Sequence, residues 1–382
     1  MIQYCTNCLL PSTKPDLMFN ADGRCSACLA FENRKFTDWE NREKEFVKIL
    51  NRYKSVDKST WDCIVPVSGG KDSTVQVLKI LELGFNPLCV TSSTCHLSDL
   101  GRENIENIKN FGVDYIEISP NRKIRKKLNR IGLETLGDIS WPEHLGIFTI
   151  PVRAAVEYKV PLLIWGENSQ NEYGGPAVAQ QSPVLNRRWL EEFGGLLGMR
   201  VSDLPDLYGI DSRDLIPYEY PSDQELERVG VTGLFLGHYF EWDGLSNYIT
   251  AQANGFKTFG RTVEGSIVDY ENLDNLQTGI HDYFKFLKFG FGRATDIASL
   301  HIRRGRMTRS QGLELVRKHD GNYPQTYLGV SLEEVISPLG LSIGEFDKIC
   351  DSFTNKSLFL HDKNGLLIKQ NNKSLTKINY DN

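Results

Sequence analysis

Six consecutive residues, Ser68-Gly69-Gly70-Lys71-Asp72-Ser73, place two glycines, a lysine, a carboxylate and two hydroxyls directly after the apolar run Cys63-Ile64-Val65-Pro66-Val67. Adjacent glycines let backbone amides approach an anion closely, and a helix starting just beyond them adds the positive end of its dipole. Ser68 and Ser73 offer hydroxyls to phosphate oxygens, and Lys71 offers a cation. Asp72 repels bare phosphate, so it suits Mg²⁺ or the orientation of the loop. The Walker spacing G-x-x-x-x-G-K-[ST] is absent, because the glycines are adjacent and Asp72 follows Lys71.

Three other groups of residues carry chemistry. Cys5 and Cys8 form one C-x2-C pair, and Cys25 and Cys28 form another. Pro11, Pro15, Asn20, Asp22 and Gly23 lie between them, as in a small ribbon with tight turns. Four thiolates so spaced can close a tetrahedron around Zn²⁺ and leave no open position, which suits structure rather than catalysis. The second group, at 164–176, reads IWGENSQNEYGGP. Its Glu167 and Glu172 are candidates for Mg²⁺ coordination or proton acceptance, against the plainer reading of a capped turn. The third, at 281–310, gathers Lys285, Lys288, Arg293, Arg303, Arg304, Arg306 and Arg309 among several phenylalanines. These read either as a phosphate clamp, since a guanidinium forks onto phosphate, or as the solvated face of a core helix.

Strand–helix alternation must position these groups. Strands are expected at 63–67, 87–91, 113–118 and 161–165, and helices at 73–83, 101–111, 121–131 and 146–158. This pattern predicts an α/β fold with a parallel sheet covered on both faces, and ligands at the carboxyl ends of its strands. Thr91, with Ser92 and Ser93, stands at the end of the second strand, and ordinary loop hydroxyls are their plain reading. Trp39, Phe46, Ile49, Leu50 and Tyr53 fall at helical spacing and predict a linker helix. The expected organisation is a zinc ribbon over 1–35, that linker over 36–60, the α/β domain over 61–270, and a mostly helical region over 271–382 that completes the site. The last residues, LLIKQNNKSLTKINYDN, are polar and read as a mobile tail.

Composition sets limits. The chain has 382 residues, 40% of them hydrophobic and 24% charged, with a net charge of -5. That balance disfavours a long nucleic-acid surface. No apolar run reaches membrane-span or signal-peptide length, so a cytoplasmic protein with no membrane contact is expected. Of the eight cysteines, Cys63 and Cys89 sit in apolar runs and read as small core residues.

The hexapeptide at 68–73 resembles the SGGxDS signature of the PP-loop ATP pyrophosphatases. That resemblance implies a PP-loop domain of the adenine nucleotide alpha hydrolase-like type. Such enzymes split ATP between its α and β phosphates and pass AMP to a substrate oxygen. CTNCLLPSTKP, VSGGKDS, WGENSQNEYGG, KFGFGRATD and IRRGRMTR together resemble the N-acetyl sugar amidotransferase family of bacterial surface-polysaccharide biosynthesis, the WbpG and PseA type. The resemblance spans most of the chain.

It implies an ATP-dependent enzyme that adenylates an acetamido group of a nucleotide-linked sugar and replaces its oxygen with ammonia-derived nitrogen. Ser68, Gly69, Gly70, Lys71, Asp72, Ser73, Thr91, Lys288 and Arg293 would then hold ATP. Asp72, Lys71 and Glu167 would be catalytic, with Asp72 and Glu167 at Mg²⁺ and the four cysteines at Zn²⁺. Residue 2 is Ile, and no lone cysteine sits on a Gly-rich elbow, so glutaminase activity is not expected here. The resemblance implies separate glutaminase and cyclase-like subunits that supply ammonia. Two competitors remain: a tRNA-thiolating PP-loop enzyme, and a non-catalytic nucleotide-binding zinc-ribbon scaffold.

Overall fold

The computed structural model describes residues 2–378. Its centre is a six-stranded sheet. The strands are β1 (Cys63–Pro66), β2 (Pro87–Ser92), β3 (Asp114–Ile118), β4 (Leu162–Trp165), β5 (Val184–Leu185) and β6 (Thr232–Phe235). Their order is β3-β2-β1-β4-β6-β5, and every pairing is parallel except that of β5 with β6. Alternation sends neighbouring side chains to opposite faces. Cys63 and Val65 pack with Phe46, Leu50, Val77 and Ile80 on one face, while Ile64 packs with Ile150, Val152 and Ala155 on the other. Burial on both faces explains why these strands are continuous apolar runs. Cys63 and Cys89 are fully buried, as expected of core residues.

The sequence placed four strands and missed two. β5 is only two residues long, and β6 carries a glycine, so neither offers a periodic signal. Helix boundaries also shift. The helix expected at 146–158 runs Trp141–Tyr158, because Pro142 occupies its first turn, where no N–H is needed. The helix Trp39–Tyr53 does more than link. Phe46 and Leu50 are wholly buried in the core under β1, and Phe46 meets the Tyr239 ring at a tilt and the Phe240 ring edge-on.

Chain direction from β1 leads outward through β2 to β3 and then returns to β4 on the other side. Such a reversal opens a crevice at the carboxyl ends of the two central strands. The loop 68–73 leaves β1 and the stretch 166–176 leaves β4, so topology alone brings these two motifs together.

The C-terminal region is built on helices Thr278–Phe289, Arg293–Arg303, Arg309–His319 and Ile343–Phe353. Its core of Ile280, Phe284, Leu287, Ile336, Phe346 and Phe359 also includes Leu133 and Ile139 from the sheet domain. The segment expected to be a mobile tail is folded up to residue 378. Isolated bridges pair Phe359 with Lys377, His361 with Leu367, and Lys369 with Leu375, and Phe359 is fully buried. Alternate apolar residues among polar ones carry these bridges, and the overall polarity masked them. Residues 379–382 lie outside the described ones.

The ribbon brings Cys5, Cys8, Cys25 and Cys28 together in full burial, with their sulfurs all within 4.8 Å. Cys5 and Cys28 sulfurs are 3.7 Å apart, and those of Cys8 and Cys25 3.6 Å. A tetrahedron with Zn–S bonds of about 2.3 Å needs thiolates roughly 3.8 Å apart. The amides of Cys8 and Cys25 donate to the Cys5 sulfur, as thiolates attract. The donor set fits Zn²⁺.

The ribbon is bolted to the C-terminal helices. Leu9 N–H donates to Ser299 Oγ at 3.2 Å, Thr13 donates to the Phe289 carbonyl at 2.5 Å, and Phe291 packs among the cysteines. We expect one zinc per chain by elemental analysis. Stripping it with phenanthroline, or Cys28→Ser, should lower the thermal midpoint by roughly 5 °C or more in scanning fluorimetry, since metal binding here is folding energy.

Candidate functional site

The helix Lys71–Glu82 begins without a side-chain cap, so its first amides point free into the crevice. Gly69 sits at φ +86, and a Cβ there would stand 2.9 Å from Ile105 Cγ1 and 3.0 Å from the Gly101 carbonyl. Glycine is therefore required twice, by conformation and by space. Ser73 and Thr74 hydroxyls both donate to the Gly70 carbonyl at 3.0 Å and pin the turn. A cavity of about 100 Å³ lies over residues 68–73, closed on its far side by Tyr270, Glu271 and Asp274.

Lys71 is almost fully buried. Its ammonium lies 2.5 Å from Asp72 Oδ2 and 2.7 Å from Glu271 Oε1. Burial opposes the charge, but Asp72 and Glu271 outweigh it and hold Lys71 well above the ordinary lysine range. The other Asp72 oxygen accepts from Asn247 Nδ2 at 2.7 Å. Glu167, at the end of β4, has its carboxyl pushed up to about 7 by burial and by the nearby Asp72 charge. A second cavity of about 240 Å³ is lined by Lys71, Asp72, Glu167, Glu271 and Arg293, among others. Free amides for an anion thus face hard carboxylate oxygens, which suit Mg²⁺. Asp72 and Glu167 fit that ion as donors.

Other expected residues are placed elsewhere. The Thr91 hydroxyl donates to the Val67 carbonyl at 2.5 Å and accepts from Tyr115 at 2.7 Å, so it locks β1, β2 and β3 together instead of facing a nucleotide. Lys288 donates to the Leu136 carbonyl at 2.8 Å and lies over the Phe353 ring, which ties it to a helix end rather than to phosphate. Arg293 does line the larger cavity, with its guanidinium forked onto Asp282 at 2.9 and 3.0 Å.

Most of the basic cluster is structural. Lys285 pairs with Asp296, and Arg306 with Asp243. Arg303 donates to the Glu172 carbonyl at 2.8 Å and approaches the Cys8 sulfur at 4.0 Å, and Arg309 donates to the Cys8 carbonyl at 3.3 Å. Glu172 is held between Arg34 and Arg304. Neither reading of the cluster anticipated these ties. Much of it ties ribbon, β4 loop and C-terminal helices together, while Arg293, Arg304 and Arg306 also line the cavity that holds Lys71 and Asp72.

Sequence reasoning missed Glu271, Asn247 and Tyr270. No local pattern marks them; only the fold brings the 244–275 segment over the phosphate loop. Tyr270 is fixed by stacking on Tyr248, with centroids 4.1 Å apart and planes 8° from parallel.

Residues 254–373 match the family model described as "LPS biosynthesis protein WbpG-like, C-terminal domain". Over those residues the chain is similar to a WbpG-like domain. Solved structures with a likeness to the chain include a predicted subunit of tRNA methyltransferase from Methanocaldococcus jannaschii, at 16% identity and TM-score 0.26 over 50% of this chain and 75% of that one. NMN synthetase from Francisella tularensis is similar at 15% identity and TM-score 0.28, over 50% of this chain and 92% of that one. NH3-dependent NAD synthetase from Campylobacter jejuni is similar at 14% identity and TM-score 0.27, over the same shares of the two chains. No curated protein matches. Within the matched residues, Tyr270, Glu271, Arg293, His301, Arg304 and Arg306 are among those that share a cavity with Lys71 and Asp72.

Gly69→Ala should cost about 1–2 kcal/mol from the left-handed φ alone. Denaturant melts of the variant should show at least that loss. Glu167 yields a pH test. Its folded-state pKa lies above the ordinary value of 4.5, so it disfavours folding increasingly as pH rises from about 4.5 to 7. Glu167→Gln should therefore raise the thermal midpoint at pH 8 and leave it nearly unchanged at pH 4.5. Adding Mg²⁺ at pH 8 should stabilise the natural protein more than this variant.

Proposed function

We propose that the chain is an ATP-dependent amidotransferase acting on a nucleotide-linked N-acetyl sugar, within bacterial surface-polysaccharide synthesis such as that of LPS O-antigen. The observation that carries this reading is one cavity walled jointly by the phosphate loop and the WbpG-like domain. An amide is a poor electrophile. Its oxygen would attack the α-phosphorus of ATP, breaking the bond to the β phosphate and releasing pyrophosphate. Ammonia would then add to the imidate carbon, lose a proton and expel AMP, leaving an acetamidino group.

The chain's own groups suit these steps. The free amides at the start of the loop helix, with Gly69 and Gly70, would receive the β and γ phosphates, and Ser68 lies beside them. Lys71, released from one of its two carboxylates, would carry charge onto the departing pyrophosphate. Mg²⁺ held at Asp72 and Glu167 would neutralise triphosphate charge. No side-chain nucleophile is needed.

Ammonia is proposed to come from separate glutaminase and cyclase-like subunits. Among the described residues, Cys63, Cys89, Cys95 and Cys350 all have thiols pushed up by burial, to about 12 at Cys89. A glutaminase nucleophile, or the reactive pair of a tRNA-thiolating enzyme, needs the opposite shift. Among the described residues no helix is long and apolar enough to cross a membrane. We place the reaction in the cytoplasm, where ATP and nucleotide sugars meet.

Purified protein with ATP, Mg²⁺, ammonium and a panel of nucleotide-linked acetamido sugars should yield AMP and pyrophosphate in step with a sugar in which NH replaces O, read by mass. Lys71→Ala should lower that rate by about 100-fold or more, as loss of a positioned charge does. AMP formed only with tRNA, together with a thiolated nucleoside, would overturn the reading. AMP formed with neither substrate would favour the scaffold.

A further inference from the structure

A third cavity, of about 380 Å³, lies wholly within the WbpG-like domain. Its volume is that of a small-molecule site. Arg293 stands in its wall and also in the wall of the cavity that holds Lys71, Asp72 and Glu167. The two spaces are therefore neighbours across one guanidinium.

The lining differs in chemistry from the phosphate loop. Asp282, Tyr283, Tyr323, Gln325 and Tyr327 place carboxylate, amide and ring surfaces around it. Carboxylates and amides take sugar hydroxyls, and aromatic rings cover the apolar C–H faces of a pyranose. The start of the helix Arg293–Arg303, which would otherwise attract an anion, is already occupied. Asp320 accepts from the Gly292 N–H at 2.8 Å and from the Thr295 hydroxyl at 2.5 Å. A triphosphate thus has no amide cradle here. One cation is in the lining instead: Arg261 is exposed, lies over the Phe259 ring and stands 3.6 Å from Glu264, while the part-exposed His319, its imidazole pulled down by burial and by Lys318, offers a neutral ring N–H. A guanidinium at a mouth suits a phosphate group that emerges from it.

We propose that this cavity is the acceptor subsite, holding the glycosyl ring of a nucleotide-linked acetamido sugar with its diphosphate leaving past Arg261 and His319. This rests on the amidotransferase reading above. The ring's acetamido group then points past Arg293 toward the phosphate loop, so Arg293 is a positioning residue between acceptor and ATP. Its fork on Asp282 keeps it in place.

Amide hydrogen exchange on the full chain tests the assignment, with UDP-N-acetylglucosamine at millimolar concentration in one arm and ATP in another. The sugar nucleotide should slow exchange in 261–265 and 319–327, and ATP should slow it in 68–73. Arg261→Ala and His319→Ala, both near the mouth, should weaken sugar-nucleotide binding at least tenfold and leave ATP binding and the thermal midpoint unchanged. Gln325→Trp, which fills the cavity from an exposed position, should do the same. Protection of 68–73 by both ligands, no protection of 261–265 and 319–327 by the sugar nucleotide, or unchanged affinity in all three variants would overturn the proposal. Sugar-dependent AMP formation is measured separately on the natural protein. Its failure would sink the amidotransferase reading, whereas absence of protection would sink only the placement of the acceptor.

Discussion

Glu172 is the node on which the arrangement turns. Its carboxylate meets Arg34 from the end of the N-terminal segment and Arg304 from the C-terminal helices, while its carbonyl accepts from Arg303. Arg303 in turn reaches the Cys8 sulfur. One residue of the β4 loop is thus fastened to two distant parts of the chain. A buried charge left alone costs several kcal/mol, so removing one partner would leave the others uncompensated. This coupling gives the four-cysteine ribbon a purpose in a site it does not enter. It steadies the loop from which Glu167 projects.

The same logic governs the phosphate loop. Lys71 is buried as a charge only because Asp72 and Glu271 flank it. Glu271 comes from the segment that covers the loop, so the lysine also holds that cover down. A site made of an amide nest and several carboxylates is poorly suited to phosphate alone and better suited to phosphate with a divalent cation. Glu167, its carboxyl pushed up to about 7 by burial and by Asp72, expresses the same imbalance. Adding a cation would relieve it.

The loop hexapeptide, the cysteine spacing and the apolar strands are local signals, because each needs only a few adjacent residues to state its chemistry. From them the sheet and the cluster of four cysteines were legible in the sequence. Thr91 and Lys288 show where that reasoning fails. A hydroxyl at a strand end and a lysine in a basic run each look available, and whether they are depends on a carbonyl nearby in space. The Val67 and Leu136 carbonyls take them.

Sequence alone determined that a glycine-rich loop follows a buried strand, that four cysteines can gather, and that polar residues crowd after β4. Those facts depend on covalent neighbours and on strand and helix periodicity. Tertiary structure decided that β4 lies beside β1, that the 244–275 segment folds over the loop to bring Glu271 and Asn247 to Lys71 and Asp72, and that most of the arginines are ties rather than clamps. It also decided that Arg293 faces two cavities. Pairing across long stretches of chain leaves no mark on local composition, because a carboxylate reads the same whether its partner is water, a phosphate-bound cation or a buried lysine.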